Sequence, residues 1–210
     1  MKEYKIRMLA SGTPADSIDW SVVPRADISE YRWLDGYAPR AFAQLVCIKG
    51  EGFLLRMTCE ESDPRAVYTE YNDPVYTDSC LEFFAVWDGK ADGKYVNLEM
   101  NSNGALLSCV GESRHGRVPV KDICGRIFDV KAKKDSDRWS VVASIPFEML
   151  GDIYGIDTGA FSDGYVFLGN FYKCGDDTAV PHYGMWNPVM TENPDFHRPE
   201  YFGRFVIVSD

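Results

Sequence analysis

Apolar and β-branched residues occur along the chain in short runs that Gly, Pro, Asp and Asn interrupt. No segment longer than about ten residues shows the 3.6-residue apolar period of a core-facing helix. The pattern therefore predicts an all-β protein, an antiparallel β-sandwich of two packed sheets with jelly-roll or immunoglobulin-like topology. The predicted strands are 4–9, 42–48, 52–59, 80–87, 95–100, 105–110, 126–132, 139–145, 165–172 and 203–208.

Helix signals are few, so we expect at most one short helix, at residues 146–150, where Pro146 can occupy the first turn and Gly151 ends the helix. Residues 174–201 contain four prolines and no strand pattern, which predicts a long ordered loop. Loops of that length in compact domains are usually functional. The sequence shows no internal repeat, low-complexity stretch or linker, and we interpret residues 1–210 as a single domain.

Polar residues form one face of the predicted strand at residues 95–101. Because side chains alternate along a strand, one row points into the core and the other forms a polar stripe. The core row is Val96, Leu98 and Met100, and the opposite row is Tyr95, Asn97, Glu99 and Asn101.

Glu82 is the one charged residue in the preceding strand, which is otherwise apolar on both faces. A carboxylate in such a strand is costly to bury unless a partner compensates it. Residues 88–93 can join the two strands as a hairpin, which would bring Glu82 next to the polar stripe. Amides and carboxylates grouped in this way suit the paired hydroxyls of a sugar. The alternative is that the stripe faces water or closes a buried network.

Two predicted loops carry aromatic residues that could stack on a ligand. Tyr76 lies in residues 72–78, and Trp186 lies in residues 182–188. Flat aromatic faces suit the C–H surface of a sugar ring. Either side chain could instead be a hydrophobic plug beneath its loop.

The formal net charge of −10 argues against nucleic acid as a partner, since nucleic-acid binding relies on clustered Lys and Arg. No stretch reaches the ~20 apolar residues of a membrane span. The residues after Met1 lack the apolar run of a signal peptide, which predicts a cytoplasmic location for the chain as written. The location would be extracellular if a leader had been removed.

The six cysteines are scattered and form no Cys-x-x-Cys pair, so we expect buried and reduced thiols. His115, His182 and His197 match no compact metal-binding spacing. His197 follows Phe196 and precedes Arg198-Pro199, which favours a structural role in fixing its loop.

Four stretches of the chain form a recognisable set, and they are residues 74–84, 95–104, 169–176 and 186–203. In the first, an aromatic residue precedes an acidic-Ser-x-x-Glu-Phe strand. Their order and spacing cover most of the chain from Phe42 onward. Taken together, the four stretches resemble the family nine carbohydrate-binding modules, and in particular their family-nine-like (DOMON-like) branch.

The resemblance implies a β-sandwich that clamps a sugar between two aromatic side chains. By position, Tyr76 and Trp186 would form the clamp and Glu82 would accept hydrogen bonds from hydroxyls. Well-described members of the family carry Trp where this chain has Tyr76. The resemblance also allows a structural calcium, although no Asp-x-Asp-x-Asp loop identifies its ligands here. No other cofactor is expected.

We therefore predict non-catalytic binding of a mono- or oligosaccharide. One alternative is a protein-interaction sandwich that binds no sugar. Another is a glycoside hydrolase that pairs Glu82 with Glu99 or Glu112. The predicted binding residues are Tyr76, Glu82, Asn97, Asn101 and Trp186, with Lys173 and His182 at the edge.

Overall fold

Strands dominate the fold, as the alternating pattern predicts. A computed structural model describes residues 1–90 and 93–209. The strands of the described residues are β1 Glu3–Leu9, β2 Ala26–Ile28, β3 Glu30–Tyr31, β4 Arg40–Ile48, β5 Gly52–Glu60, β6 Cys80–Val86, β7 Tyr95–Asn101, β8 Leu106–Gly111, β9 Val118–Pro119, β10 Asp129–Lys134, β11 Trp139–Pro146, β12 Val166–Cys174, β13 Tyr183–Met185 and β14 Gly203–Val208. The helices are α1 Val120–Cys124 and α2 Phe147–Tyr154, with 3-10 turns at Ala15–Ser17, Val75–Thr77, Thr158–Ala160 and Pro199–Tyr201.

The strands form one curled mixed sheet in the order β10-β11-β5-β4-β1-β14-β12-β6-β7-β8-β9. Strand β1 pairs in parallel with both β4 and β14, whereas the other pairings are antiparallel. The predicted β-sandwich is confirmed, but its two layers are halves of one sheet that β1 connects.

The main core lies between the two halves of the sheet. Phe53 on β5 contacts Phe167 on β12 with ring centroids 5.6 Å apart, and Trp87 lies between them at 5.0 and 4.4 Å. All three side chains are almost completely buried. This aromatic packing holds the halves together, because each ring removes a large apolar area from water.

Strands β6 and β7 form the predicted hairpin, with Glu82 directly opposite Glu99. The turn at residues 88–93 includes 91 and 92, which lie outside the described residues. The predicted inner row is confirmed, since Val96, Leu98 and Met100 are in the main core.

The polar row opposite is buried as well and does not face water. Val75, Phe196 and Phe202, from segments outside the sheet, pack there with Phe84 in a second hydrophobic cluster. The outer face of this half of the sheet is therefore covered by loops.

The predicted helix is present but longer, and a second short helix, α1, accompanies it. Pro146 ends β11 and precedes α2, whereas it was expected in the first turn of the helix, and the helix continues past Gly151 to Tyr154. It continues because Ile153 extends the buried apolar face of Met149 and Leu150. The helix ends just before Gly155, whose left-handed φ of 69° favours glycine.

The segment predicted as a long loop is ordered and contains β13 and a 3-10 turn. Strand β13 pairs with β12 and with β3, which the sequence pattern did not reveal. Asn170 fastens the loop to the sheet, because its amide donates to the carbonyl of Asn187 at 2.8 Å and its oxygen accepts from the Asn187 N–H at 2.9 Å.

All six cysteines are free, in agreement with the prediction of reduced thiols. No helix in the described part of the chain has the length and apolar character needed to cross a membrane.

Candidate functional site

A cavity of about 480 Å³ lies over the outer face of β6, β7 and β12. The 3-10 turn at Val75–Thr77 and the long loop contribute its rim. Its lining combines aromatic rings with charged groups of both signs. The lining residues are Tyr76, Glu82, Glu99, Arg114, Arg117, Cys174, Asp176, Tyr183, Pro194, Asp195, Phe196 and His197.

Two carboxyl groups, Glu82 and Glu99, lie side by side on adjacent strands and are each 2% exposed. Burial raises the pKa of Glu82 and of Glu99, and the proximity of Glu99 raises the pKa of Glu82 further. The thiol of Cys174 donates to Glu82 at 2.9 Å, and the amide of Asn97 donates to Glu99 at 3.0 Å. This pair gives the cavity strong hydrogen-bonding groups with free lone pairs.

Two arginines bring positive charge to the same cavity. Arg117 lies 3.8 Å from Glu99, measured between Nη1 and Oε1, and Arg114 lies 3.6 Å from Asp195. The buried Nη1 of Arg117 has no hydrogen-bond partner among the described residues. A donor of this kind is costly to bury and suits a ligand oxygen.

Three aromatic side chains line the cavity. Tyr76 is 41% exposed, whereas Phe196 is mostly buried and stacks on Tyr172 with centroids 4.1 Å apart. Tyr183 is partly exposed and lines the cavity together with Asp176. Tyr76 and Tyr183 are thus the aromatic faces that a ligand can reach.

His197 fastens the long loop to the sheet, which agrees with its predicted structural role. Its Nδ1 lies 2.8 Å from the hydroxyl of Tyr95, and its ring packs on Phe84 at 4.9 Å. Burial, together with the nearby Arg117 and Arg114, lowers the pKa of His197 to about 3. The ring is therefore neutral at ordinary pH and adds no charge to the cavity wall.

Of the predicted polar residues, the structure places Glu82 in the cavity and the two asparagines outside it. Asn97 is behind Glu99, which it orients. Asn101 donates to Asp78 and to the carbonyl of Tyr68, both at 2.8 Å, and its oxygen accepts from the N–H groups of two residues in the next turn. Its hydrogen bonds hold the β7–β8 turn and leave nothing for a ligand.

The two residues predicted at the edge, Lys173 and His182, are buried beneath the loop and do not line the cavity. The Lys173 ammonium donates to His182 Nε2 at 2.6 Å and to the Cys174 carbonyl at 2.8 Å. Burial and the Lys173 charge lower the pKa of His182 to about 4, so this ring is also neutral. Both side chains therefore support the loop from beneath.

Trp186, the predicted second half of the clamp, lies in the main core and is 5% exposed. Its ring contacts Phe205 at 5.3 Å and Tyr4 at 6.4 Å. A Cβ on Gly203 would come within 2.4 Å of the indole, so the ring fits against the bare backbone there. The structure thus corresponds to the alternative of a hydrophobic plug and does not bring Trp186 to Tyr76.

The cavity also contains residues that the predicted site left out. Glu99 was on the predicted polar stripe, and Tyr183 was in the aromatic loop stretch, three residues before Trp186. Tyr183 begins β13, and Trp186 comes three positions later, so strand alternation places their side chains on opposite faces. That short strand was not predicted. Arg114 and Arg117 are in a loop whose only signal is a cluster of basic residues in an acidic chain.

No cluster of acidic side chains in the described residues identifies the structural calcium that the resemblance allows. In the described residues, the only group of three or more His, Cys, Asp and Glu ligand atoms within 4.8 Å of one another is Cys80, Glu82 and Cys174. Calcium takes oxygen ligands, so two thiols do not fit it.

Comparison with solved structures supports the fold independently. A protein from Bacteroides uniformis ATCC 8492 to which carbohydrate binding has been attributed is 26% identical, with a TM-score of 0.82 over 98% of this chain and 99% of that one. A family 9 carbohydrate-binding module from Caldicellulosiruptor kristjanssonii is 13% identical. Its cellotriose complex gives a TM-score of 0.70 over 100% of this chain and 95% of that one, and its glucose complex gives 0.69 over 100% and 97%.

No curated protein matches the chain. The family model described as carbohydrate-binding family 9 matches residues 15–207. That range includes every residue of the cavity lining. The chain belongs to carbohydrate-binding family 9.

Proposed function

We propose that the cavity over β6, β7 and β12 binds a mono- or oligosaccharide and does not react with it. The observation that carries this proposal is the meeting of an exposed aromatic ring, Tyr76, with the buried Glu82 and Glu99 pair and with Arg117. The Nη1 atom of Arg117 is buried without a hydrogen-bond partner among the described residues. A sugar ring has an apolar C–H face and hydroxyls that both donate and accept. The tyrosine ring can pack on the C–H face, and the carboxyl and guanidinium groups can form hydrogen bonds with the hydroxyls.

The aromatic contacts in the proposed site come from Tyr76 and Tyr183, and Trp186 has no part in them. Glu82 and Glu99 accept from sugar hydroxyls, and Arg117 donates to a sugar oxygen. Glucose and cellotriose, which occupy the Caldicellulosiruptor kristjanssonii module, are the first ligands to test.

A hydrolase that paired Glu82 with Glu99 would need one carboxyl group that stays protonated and another that is ionised. Burial raises the pKa of both groups, and the pKa of Glu82 rises further than that of Glu99. An assay for reducing sugar released from cellotriose therefore tests the non-catalytic part of the proposal. Glu112, the other partner considered for Glu82, is exposed and is not part of the cavity lining.

Substitution of Tyr76 tests the proposal. Y76A should weaken glucose or cellotriose binding by about 10- to 100-fold, since losing a packed aromatic anchor costs about 1–3 kcal/mol. The matched control is Y37A, because Tyr37 has the same 41% exposure and does not line the cavity. Isothermal titration calorimetry of the wild type and both variants measures the change.

Equal losses in the Y76A and Y37A variants would contradict the location of the site. A wild-type protein that binds neither ligand nor any member of a glycan array would favour the interaction module instead. Release of reducing sugar from cellotriose would contradict the non-catalytic part of the proposal.

A further inference from the structure

Two cysteines and one glutamate meet on the outer face of β6 and β12. Cys80 and Cys174 are directly opposite each other on the two neighbouring strands. Glu82 lies two residues after Cys80 and therefore points to the same face of the sheet. All three side chains are buried.

The spacing of their ligand atoms matches a metal centre. The two sulfurs and a carboxylate oxygen lie within 4.8 Å of one another, and Cys174 Sγ is 2.9 Å from Glu82 Oε1. In a tetrahedral zinc site, Zn–S bonds of about 2.3 Å place two sulfurs about 3.8 Å apart. Only small side-chain movements would be needed to enclose an ion.

The structure assigns to Cys80, Glu82 and Cys174 a binding site for a thiophilic divalent cation, with Zn²⁺ as the best match. Zn²⁺ accepts two thiolates and one carboxylate as ligands, whereas Ca²⁺ and Mg²⁺ take oxygen ligands and do not suit the thiolates. Binding would release the two thiol protons, and any proton on Glu82, to water. No oxidation or reduction is involved.

Access and charge both suit an ion at this position. Cys174 and Glu82 line the cavity, so an ion can reach them from solvent. Two thiolates and a carboxylate around Zn²⁺ have a net charge of −1. The Lys173 ammonium lies nearby, 2.8 Å from the Cys174 carbonyl oxygen, and brings the opposite charge to this part of the sheet.

Cobalt(II) titration of the reduced wild-type protein, without sugar, tests the assignment. One Co²⁺ per chain should bind with a sulfur-to-cobalt charge-transfer band, and Zn²⁺ should displace it. The band should vanish in the double variant C80S/C174S. It should persist in C47S, which removes a thiol that is equally buried on β4 in the other half of the sheet.

E82Q provides a variant of unchanged shape that keeps both thiols, in case the double variant does not fold. It should weaken Co²⁺ binding by at least about 10-fold, because even groups that only orient a metal ligand contribute that much. Absence of the band in the wild type, or its survival in folded C80S/C174S, would overturn the assignment. So would unchanged affinity in E82Q.

The result is independent of sugar binding, because the band is recorded without sugar. A protein that binds sugar but gives no band lacks the metal site and retains the proposed function. A protein that gives the band and has no sugar affinity has the metal site and lacks the proposed function.

Discussion

At the scale of single residues, the strand register brings Glu82 and Glu99 together. The pairing of Phe83 with Leu98 in the main core places both glutamates on the outer face. A slip of one residue would move a carboxylate into the main core, where it would lack a partner. Core packing therefore enforces the geometry of the cavity floor.

Trp186 illustrates how a residue next to the site can be structural. W186A should lower the free energy of unfolding by about 3–5 kcal/mol, the usual cost of deleting a buried large aromatic side chain. The reason is its contact with Phe205, Tyr4 and the backbone of Gly203. Urea denaturation of the wild type and the W186A variant measures the change.

Substitution of a clamp residue would instead lower the affinity for sugar and leave the free energy of unfolding unchanged. Y76A is the control, because Tyr76 is 41% exposed and its ring should add little to stability. A W186A protein that unfolds at the wild-type urea concentration would contradict the core position.

His197 should make stability depend on pH. Its pKa of about 3 in the folded protein is below the value of about 6.5 expected when unfolded, so the unfolded state binds the extra proton between these pH values. Its contribution is therefore complete above about pH 6.5 and is lost as the pH falls toward 3. The slope from this single group is at most about 1.4 kcal/mol per pH unit.

H197Q removes this contribution and keeps a side chain that can bond Tyr95. The difference in unfolding free energy between the wild type and H197Q should grow from pH 4 to pH 7 in parallel urea titrations. His182 contributes in the same direction in both proteins and cancels in the difference. Parallel pH profiles would show that His197 is protonated as easily in the folded state as in the unfolded state.

Part of the candidate site could be predicted from the sequence. Strand alternation and the family resemblance placed Tyr76 and Glu82, which both line the cavity. Alternation assigns a residue to a face but cannot tell whether a loop covers that face. For this reason Asn101 and Lys173, whose side chains hold buried structural contacts, could not be distinguished from ligand-binding residues.

At the scale of secondary-structure elements, α2 ends because Gly155 adopts φ 69° and its N–H bonds the Gly151 carbonyl at 2.8 Å. A Cβ there would meet no atom within 4 Å. G155A should therefore cost about 1–2 kcal/mol through backbone conformation alone. G155N should cost less, because asparagine tolerates the left-handed region, and thermal unfolding of both variants measures the difference.

Equal costs for the alanine and asparagine variants would contradict this explanation, because the penalty would then not depend on tolerance of positive φ.

The long strands could be predicted and the short ones could not. Strands such as β4 and β5 are nine residues each and present a sustained apolar pattern. Strands β2, β3, β9 and β13 have two or three residues and exist because a neighbouring strand offers hydrogen bonds. Their pairing depends on tertiary structure, which local pattern does not record.

At the scale of the whole molecule, β1 makes the two halves of the sandwich one sheet. Its register pairs Ile6 with Ile207 of β14, and Arg7 with both Val208 of β14 and Val46 of β4. The sequence identified β1 as a strand but could not show parallel pairing, since its two partners are distant in the chain. We expect the halves to unfold together, because β1 is needed by both.

Ile6→Pro tests this dependence on β1. Ile6 is completely buried in a strand that has partners on both sides. Proline removes the N–H donor and is tolerated in sheets essentially only at edges, first positions and bulges, so I6P should abolish the cooperative fold. The control K5A changes the adjacent exposed residue and should alter the unfolding free energy by less than about 0.5 kcal/mol. Circular dichroism during urea denaturation measures both variants, and a cooperative I6P transition near the wild-type midpoint would mean that the halves are stable without a continuous β1.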